Sequence, residues 1–82
     1  MLLNEFISNK LEKIRKEKKI KIYTLCKNAA ISYETYRSIR KNKNKDIYIR
    51  TLLILLQTLE VSPSEFFDDE LLINNEIDFD FK

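Results

Sequence analysis

The sequence predicts an all-α fold: a compact domain of five short helices, followed by a short C-terminal tail. Apolar residues recur every three or four positions along most of the chain, as they do on the buried face of a helix. The 82 residues include no glycine and a single proline, which disfavours a turn-rich sheet fold. A chain of this length is long enough for one domain and too short for two.

The composition excludes several classes of function. With one cysteine, Cys26, and no histidine, the chain cannot form an internal disulfide or a Cys/His zinc site, and we expect no metal or other cofactor. It has no glycine-rich phosphate loop and no nucleophile beside an evident base, so we expect neither an enzyme nor a small-molecule substrate. The most apolar run, residues 52–56, is too short to span a membrane, and the N-terminus does not resemble a signal peptide. We therefore expect a cytoplasmic protein with no membrane partner.

The first two predicted helices differ in length. The first, about residues 3–18, is amphipathic, and its apolar residues at helical spacing are Leu3, Phe6, Ile7, Leu11 and Ile14. The second, about residues 22–28, is expected to bury Leu25 and Cys26.

The third helix is predicted at about residues 33–41. Ser32 is a suitable N-cap, because its hydroxyl can accept a hydrogen bond from an otherwise unpaired amide of the next turn. Tyr36 and Ile39 are expected to be buried, whereas the exposed residues are Tyr33, Glu34, Arg37, Ser38 and Lys41. The polar residues 42–46 that follow predict a surface loop.

The fourth helix is predicted at about residues 48–59. Its apolar stripe comprises Ile49, Leu52, Leu53, Leu56 and Leu59. Ile54 and Leu55 widen this stripe beyond what a surface helix needs, so they are either additional core or part of a dimer seam.

A capping box predicts where the fifth helix begins. Ser62 can cap the helix, Pro63 suits the first helical position, and Glu65 stands three residues after the cap. This helix is expected to end near Leu72 and to bury Phe66, Phe67 and Leu71. We therefore place the helical domain at residues 1–72 and a separate tail at residues 73–82.

In the tail, Ile77, Phe79 and Phe81 alternate with acidic residues, which is the period of a strand. An isolated strand is not stable, so the tail is either loose, paired with its twin across a dimer, or added to another protein by strand pairing. We favour pairing across a dimer.

Charge is distributed unevenly along the chain. Residues 1–64 contain fourteen Lys or Arg and six Asp or Glu, a net charge of +8, whereas residues 65–82 carry a net charge of −6. A basic body suggests a polyanionic partner, and the acidic end suggests a different role.

Residues 25–39 contain the parts of a helix-turn-helix unit. Cys26 is a small residue where two helices can cross, Ala30 and Ile31 suit a tight turn with an apolar plug, and Ser32 can restart the helix. With these residues, with Leu11 and Arg15 in the first helix, and with the stretch 51–67, the chain resembles the lambda-repressor-like Cro/xenobiotic-response-element (XRE) family of helix-turn-helix regulators over about residues 8–68.

The resemblance implies a sequence-specific regulator of transcription, expected to be a repressor, that binds double-stranded DNA as a homodimer. In such proteins the second helix of the unit enters the major groove, and a dimer reads two half-sites. The base contacts implied are Tyr33, Glu34, Arg37, Ser38 and Lys41, with Arg37 as the candidate reader of a guanine. The backbone contacts implied are Lys21, Thr24, Ser32, Lys43, Asn44 and Lys45. The candidate dimer contacts are Ile54, Leu55, Ile77, Phe79 and Phe81.

The chain departs from the family pattern at three positions, and two of these departures, Ile22 and Arg40, together with the acidic tail, motivate an alternative. Ala30 stands where relatives carry glycine, Ile22 replaces a frequent glutamine, and Arg40 replaces the acid that usually pairs with an arginine at the position of Arg15. The alternative is a protein-interaction module, such as an antitoxin-like or anti-repressor partner, that keeps the helical fold and binds DNA weakly or not at all.

Overall fold

Six helices form the domain in the computed structural model, which describes residues 1–41 and 46–79. They are α1 (Leu3–Glu17), α2 (Ile22–Ala29), α3 (Tyr33–Lys41), α4 (Ile49–Thr58), α5 (Pro63–Phe67) and α6 (Glu70–Ile73). The predicted all-α fold is confirmed, and α1 to α4 begin and end within a residue of their predicted bounds. No helix in the described part of the chain is long and apolar enough to cross a bilayer.

The predicted fifth helix is divided in two. The capping box forms as expected: the Ser62 hydroxyl accepts the Glu65 amide at 3.2 Å, and the Glu65 carboxylate accepts the Ser62 amide at 3.3 Å. The chain leaves the helix at Asp68 and restarts at Asp69, whose carboxylate accepts the amide of Leu71 at 3.0 Å. Aspartate side chains compete for backbone amides, so they favour helix starts over helix interiors.

The core lies where α1, α2 and α4 meet α3 and α5. Phe6 of α1 packs edge-on against Phe66 of α5, with ring centroids 6.2 Å apart. Phe67, which we expected to be buried, is 37% exposed. The most completely buried large side chains among the described residues are Leu11, Leu25, Tyr36, Leu55, Leu56, Leu59 and Phe66.

The buried face of α4 differs from the prediction. Leu55 is fully buried, so its assignment to a dimer seam is corrected: it belongs to the core of its own subunit. Ile49 and Leu53, which we expected to be buried, are 67% and 42% exposed. The reason is that α4 packs against both α2 and α5, and these two neighbours bury the side of α4 that carries Leu52 and Leu55.

The tail is attached to the N-terminus of its own chain. Asp78 forms an isolated parallel bridge with Leu2: its amide donates to the Met1 carbonyl at 2.8 Å, and its carbonyl accepts the Leu3 amide at 3.2 Å. Ile77 is only 7% exposed and joins the core. Its assignment to a dimer contact is therefore corrected, because its side chain is buried within the subunit. Phe79 is exposed, and Phe81 lies outside the described residues.

Four helix ends place a residue with a side chain in the left-handed region. These residues are Lys19, Ala30, Glu60 and Asn75, with φ between 56° and 60°. After α1, the amide of Ile20 donates to the Arg15 carbonyl at 3.1 Å, which is the long hydrogen bond of a Schellman motif. The same bond pattern follows α2, α4 and α6. A chain without glycine thus ends four of its described helices in the conformation that glycine adopts at least cost.

Candidate nucleic-acid interface

The turn between α2 and α3 sets the angle at which α3 leaves the domain. Ala30 adopts φ 56° and ψ 40°. Its amide donates to the Lys27 carbonyl at 3.2 Å, and the amide of Ile31 donates to the Cys26 carbonyl at 3.1 Å. Ile31 is half-buried and packs against the core. The turn therefore forms at the residues that the sequence indicates.

The first turn of α3 is capped as predicted. The Ser32 hydroxyl accepts the amide of Thr35 at 3.0 Å and lies 2.8 Å from the Thr35 hydroxyl. This contact satisfies an amide that the helix itself cannot pair, and it fixes where the helix begins.

Two buried residues hold the inner side of α3 against the domain. Tyr36 is fully buried, and Ile39 is almost so. Small residues of α2, Cys26 and Ala29, are buried in the same core. Burial raises the pKa of the Cys26 thiol, so this side chain acts as a small apolar residue and not as a nucleophile.

The opposite side of α3, which we call the outer face, carries all five predicted base contacts: Tyr33, Glu34, Arg37, Ser38 and Lys41. At 3.6 residues per turn these positions span an arc of about 140°. The Arg37 guanidinium lies 3.8 Å from the Glu34 carboxylate, and their side chains are 54% and 77% exposed. Ser38 is half-buried, whereas Tyr33 and Lys41 are exposed. The fold thus presents one contiguous, mostly polar surface to solvent.

A carboxylate on α1 is attached to α3 along the flank between the outer face and the buried Ile39. Glu12 accepts the Tyr36 hydroxyl at 2.6 Å and lies 3.3 Å from Nε of Arg40. It also accepts both Nε and Nη2 of Arg15, at 2.7 Å and 3.0 Å. The remaining terminal nitrogen of Arg15 donates to the Ile20 carbonyl at 2.6 Å. We call Glu12, Arg15, Tyr36 and Arg40 the Glu12 cluster.

The protonation states of this cluster follow from its hydrogen bonds. Burial by itself would raise the pKa of the Glu12 carboxyl, but the hydrogen bonds from Arg15 and Tyr36 outweigh it and hold the pKa below its ordinary value. The hydrogen bond to Glu12 raises the pKa of Arg15. Burial, together with the hydrogen bond to Glu12, raises the pKa of Tyr36. Glu12 is therefore ionised and Tyr36 is protonated at neutral pH.

Sequence reasoning missed the role of Glu12. It left Arg15 without its usual partner, because position 40 is an arginine. The structure shows that the acid stands on α1, three residues before Arg15, and reaches α3 from there. The signal in the sequence was the spacing of Glu12 and Arg15, since residues three apart on a helix lie on the same face and can form an ion pair.

The predicted backbone contacts are described only in part. Lys21, Thr24 and Ser32 are exposed, and Lys21 immediately precedes the first turn of α2. A lysine at a helix N-terminus stands beside unpaired amides that favour anions such as phosphate. The remaining predicted contacts, Lys43, Asn44 and Lys45, lie outside the described residues.

The surface of α4 is more apolar than we predicted. Ile49 and Leu53 stand one turn apart and are exposed, while Ile54 is half-buried and packs against the core. We had noted that α4 carries more apolar residues than a surface helix needs, but we assigned the surplus to Ile54 and Leu55.

No group of three or more acidic or cysteine residues in 1–41 and 46–79 is arranged to hold a metal ion.

Comparisons with known proteins find the same fold. Residues 10–71 match the family model described as the Cro/C1-type HTH DNA-binding domain. The crystal structure of the wild-type restriction-modification controller protein C.Esp1396I is 28% identical, with a TM-score of 0.75 over 93% of this chain and 96% of that chain. Two tyrosine variants of that controller are also 28% identical, each with a TM-score of 0.76. The variant with alanine in place of the tyrosine is matched over 93% of this chain and 95% of that chain. The variant with phenylalanine is matched over 98% of both chains. A comparison with curated proteins gave no match.

Proposed function

The chain belongs to the Cro/C1-type helix-turn-helix family of DNA-binding domains, and from this premise we propose that it represses transcription as a homodimer that inserts α3 into the major groove of a specific operator. That it is a DNA-binding regulator of the XRE type follows from the family. The observation that carries the finer proposal is the outer face of α3. Four of its five side chains are exposed and Ser38 is half-buried, while Tyr36 and Ile39 anchor the helix from behind.

In the proposed complex, Arg37 reads the edge of a guanine through two hydrogen bonds, which is worth about 1–3 kcal/mol of discrimination against another base. Glu34 either accepts from a cytosine amine or restrains the guanidinium of Arg37, 3.8 Å away. Tyr33 contacts a thymine methyl or a phosphate. Ser38 and Lys41 complete the base-facing surface.

We further propose that exposed polar groups around this face position the helix without reading sequence. Lys21, Thr24 and Ser32 flank the starts of α2 and α3, and the predicted set also includes Lys43, Asn44 and Lys45. Lysines that neutralise phosphates release counterions, so binding should weaken steeply as salt is added.

The exposed apolar side of α4 supports the dimer. We assign the seam to Ile49, Leu53 and the half-buried Ile54, in place of the core residue Leu55. An apolar patch on a small domain commonly marks a protein interface. A second copy is the occupant we propose, because a two-fold dimer would present two α3 helices to two half-sites. We retain Phe79 and Phe81 as further candidate contacts of the dimer.

The likeness to restriction-modification controller proteins suggests which genes are regulated. The similarity spans more than nine-tenths of both chains at 28% identity. We propose that this protein likewise controls the expression of a restriction-modification system.

Selection of bound duplexes from a random-sequence pool tests the proposal. We expect the recovered sequences to share an inverted repeat. Arg37→Ala should lose at least about tenfold in affinity for the selected operator, which corresponds to a good base contact. The matched control is Lys13→Ala, which removes an exposed cation from α1 outside the proposed contacts and seam and should leave the affinity for the selected operator nearly unchanged. Failure to select any sequence, even at low salt, would leave the protein-interaction module as the better hypothesis.

A further inference from the structure

Each oxygen of the Glu12 carboxylate is shared between one partner on α1 and one on α3. Oε2 accepts Nε of Arg15 at 2.7 Å and the Tyr36 hydroxyl at 2.6 Å. Oε1 accepts Nη2 of Arg15 at 3.0 Å and lies 3.3 Å from Nε of Arg40. The fork formed with Arg15 fixes the plane of the carboxylate, so the two α3 residues meet an acceptor that cannot turn freely.

The attachment is well placed to fix the rotation of α3 about its own axis. Tyr36 and Arg40 stand one turn apart on α3 and hold the helix at two points. The apolar packing of Ile39 gives attraction without direction, whereas hydrogen bonds depend on angle. Arg15 is itself held by the Ile20 carbonyl at 2.6 Å, which anchors the assembly to the chain between α1 and α2.

A small rotation of α3 would be enough to misplace its outer face. On a helix of about 5–6 Å radius, a rotation of about 20° moves the outer atoms by about 2 Å. A hydrogen bond to a base edge tolerates only a few tenths of an ångström around its usual length. Rotation would therefore cost Arg37 its base contact, while the flexible lysines could still reach phosphates.

We propose that Glu12 is a positioning residue for DNA recognition: it sets the rotation of α3 and so the direction of Arg37, without touching DNA itself. This inference rests on the proposed function. It predicts that loss of the carboxylate reduces selectivity between sequences and spares non-selective binding. A purely stabilising role predicts a lower melting temperature with unchanged selectivity.

The test compares affinities for two duplexes, the operator selected by the wild-type protein and a scrambled duplex of the same length and composition. Glu12→Gln should reduce the ratio of these affinities at least about tenfold, the loss of one base contact. Glu17→Gln is the matched control, because Glu17 is exposed on the same helix and the change in net charge is the same. It should leave the ratio unchanged. All measurements are made at a temperature where circular dichroism shows each variant fully folded.

A rescue variant separates positioning from general damage. In the double variant Glu12→Gln, Arg40→Glu, a carboxylate returns to the cluster from α3 and can pair with Arg15, so most of the lost selectivity should return. Two results would overturn this inference while leaving the proposed function intact. In the first, the wild-type protein is selective and Glu12→Gln leaves the ratio of its two affinities unchanged. In the second, the double variant is no more selective than Glu12→Gln. A wild-type protein that selects no sequence would overturn the proposed function and this inference with it.

Discussion

Ala30 shows how a single residue can carry a conformational cost that its neighbours impose. A residue with a Cβ is less stable in the left-handed region by about 1–2 kcal/mol, yet Ala30 adopts φ 56° there. Ile31, the residue that follows, is packed against the core, and the burial of its side chain offsets part of the cost. The strain lies in the turn that orients α3, so relieving it affects stability without changing any side chain of the outer face.

We therefore expect Ala30→Gly to raise the free energy of unfolding by about 1 kcal/mol. For a domain of this size, 1 kcal/mol corresponds to a rise in Tm of about 4–8 °C. The control is Ala29→Gly at the adjacent residue, which is the last of α2 and right-handed. There glycine should lower the free energy of unfolding by at least about 1 kcal/mol, because it adds backbone freedom to the unfolded chain and removes a methyl group that is buried in the core. Thermal melts followed by circular dichroism measure both, and a destabilised Ala30→Gly would contradict the argument.

At the scale of the helices, α1 is joined to α3 by a charged group whose state depends on pH. Interactions that favour the ionised form of Glu12 hold its pKa below the ordinary value. The stability they supply is present above the pKa of the unfolded chain, about 4.3 for a glutamate. It is lost as the pH falls through the lower pKa of the folded state.

The difference in unfolding free energy between the wild-type protein and Glu12→Gln should therefore be largest near pH 7. Hydrogen bonds to charged groups place it at about 1–3 kcal/mol, and it should shrink as the pH falls toward 3. Urea denaturation at several pH values measures it. Glu17→Gln should show no such trend, since Glu17 is exposed on α1 and is not a member of the Glu12 cluster. A difference that stays constant down to pH 3 would mean that Glu12 stabilises α3 through packing and not through its charge.

The C-terminal tail is a second element whose role depends on contacts within the chain. Ile77 is buried at 7% exposure, whereas Phe79 is 64% exposed two residues later. Ile77→Ala should cost about 2–5 kcal/mol, as other large-to-small changes in cores do. Phe79→Ala should change the free energy of unfolding by less than about 0.5 kcal/mol. Denaturant unfolding of the two variants measures both changes. If the tail were separate from the domain, the two substitutions would lower the free energy of unfolding by similar, small amounts.

These elements also show how far the sequence could be interpreted. The capping box at Ser62 and the turn at Ala30 were predicted because each depends on residues within a few positions of one another. The sequence left Leu55 open between the core and a dimer seam, because its burial depends on α2 and α5 closing on α4 from two sides. The contact between Glu12 and Tyr36 spans 24 positions, and no local pattern identifies it. The outer face was predicted from helical periodicity and the family pattern together.

On the scale of the whole molecule, charge and apolar surface are segregated. The sequence places a net charge of +8 on residues 1–64 and −6 on the remainder. Within the described part, acidic Asp69 is paired with Lys10 at 2.9 Å, and the hydrogen bond from Lys10 lowers the pKa of Asp69. Asp69, the N-cap of α6, is thus tied to α1 through this ion pair. The outer face of α3 and the exposed apolar residues of α4 are the surfaces that we propose for DNA and for a second copy.

The apolar side of α4 leads to a prediction about the assembled protein. A lysine in place of Leu53 would put a charge among the apolar residues of the proposed seam, and an unpaired charge in an apolar interface is strongly unfavourable. Because Leu53 is 42% exposed, the folded subunit should lose little stability. We expect Leu53→Lys to sediment as a monomer at concentrations where the wild-type protein is a dimer. It should also bind a two-half-site operator much more weakly, while a single half-site is bound equally by both proteins.

Ile73→Lys is the matched control, since it changes another exposed apolar residue, on α6, and should remain dimeric. If Leu53→Lys stayed dimeric with full operator affinity, the seam would have to lie elsewhere on the subunit.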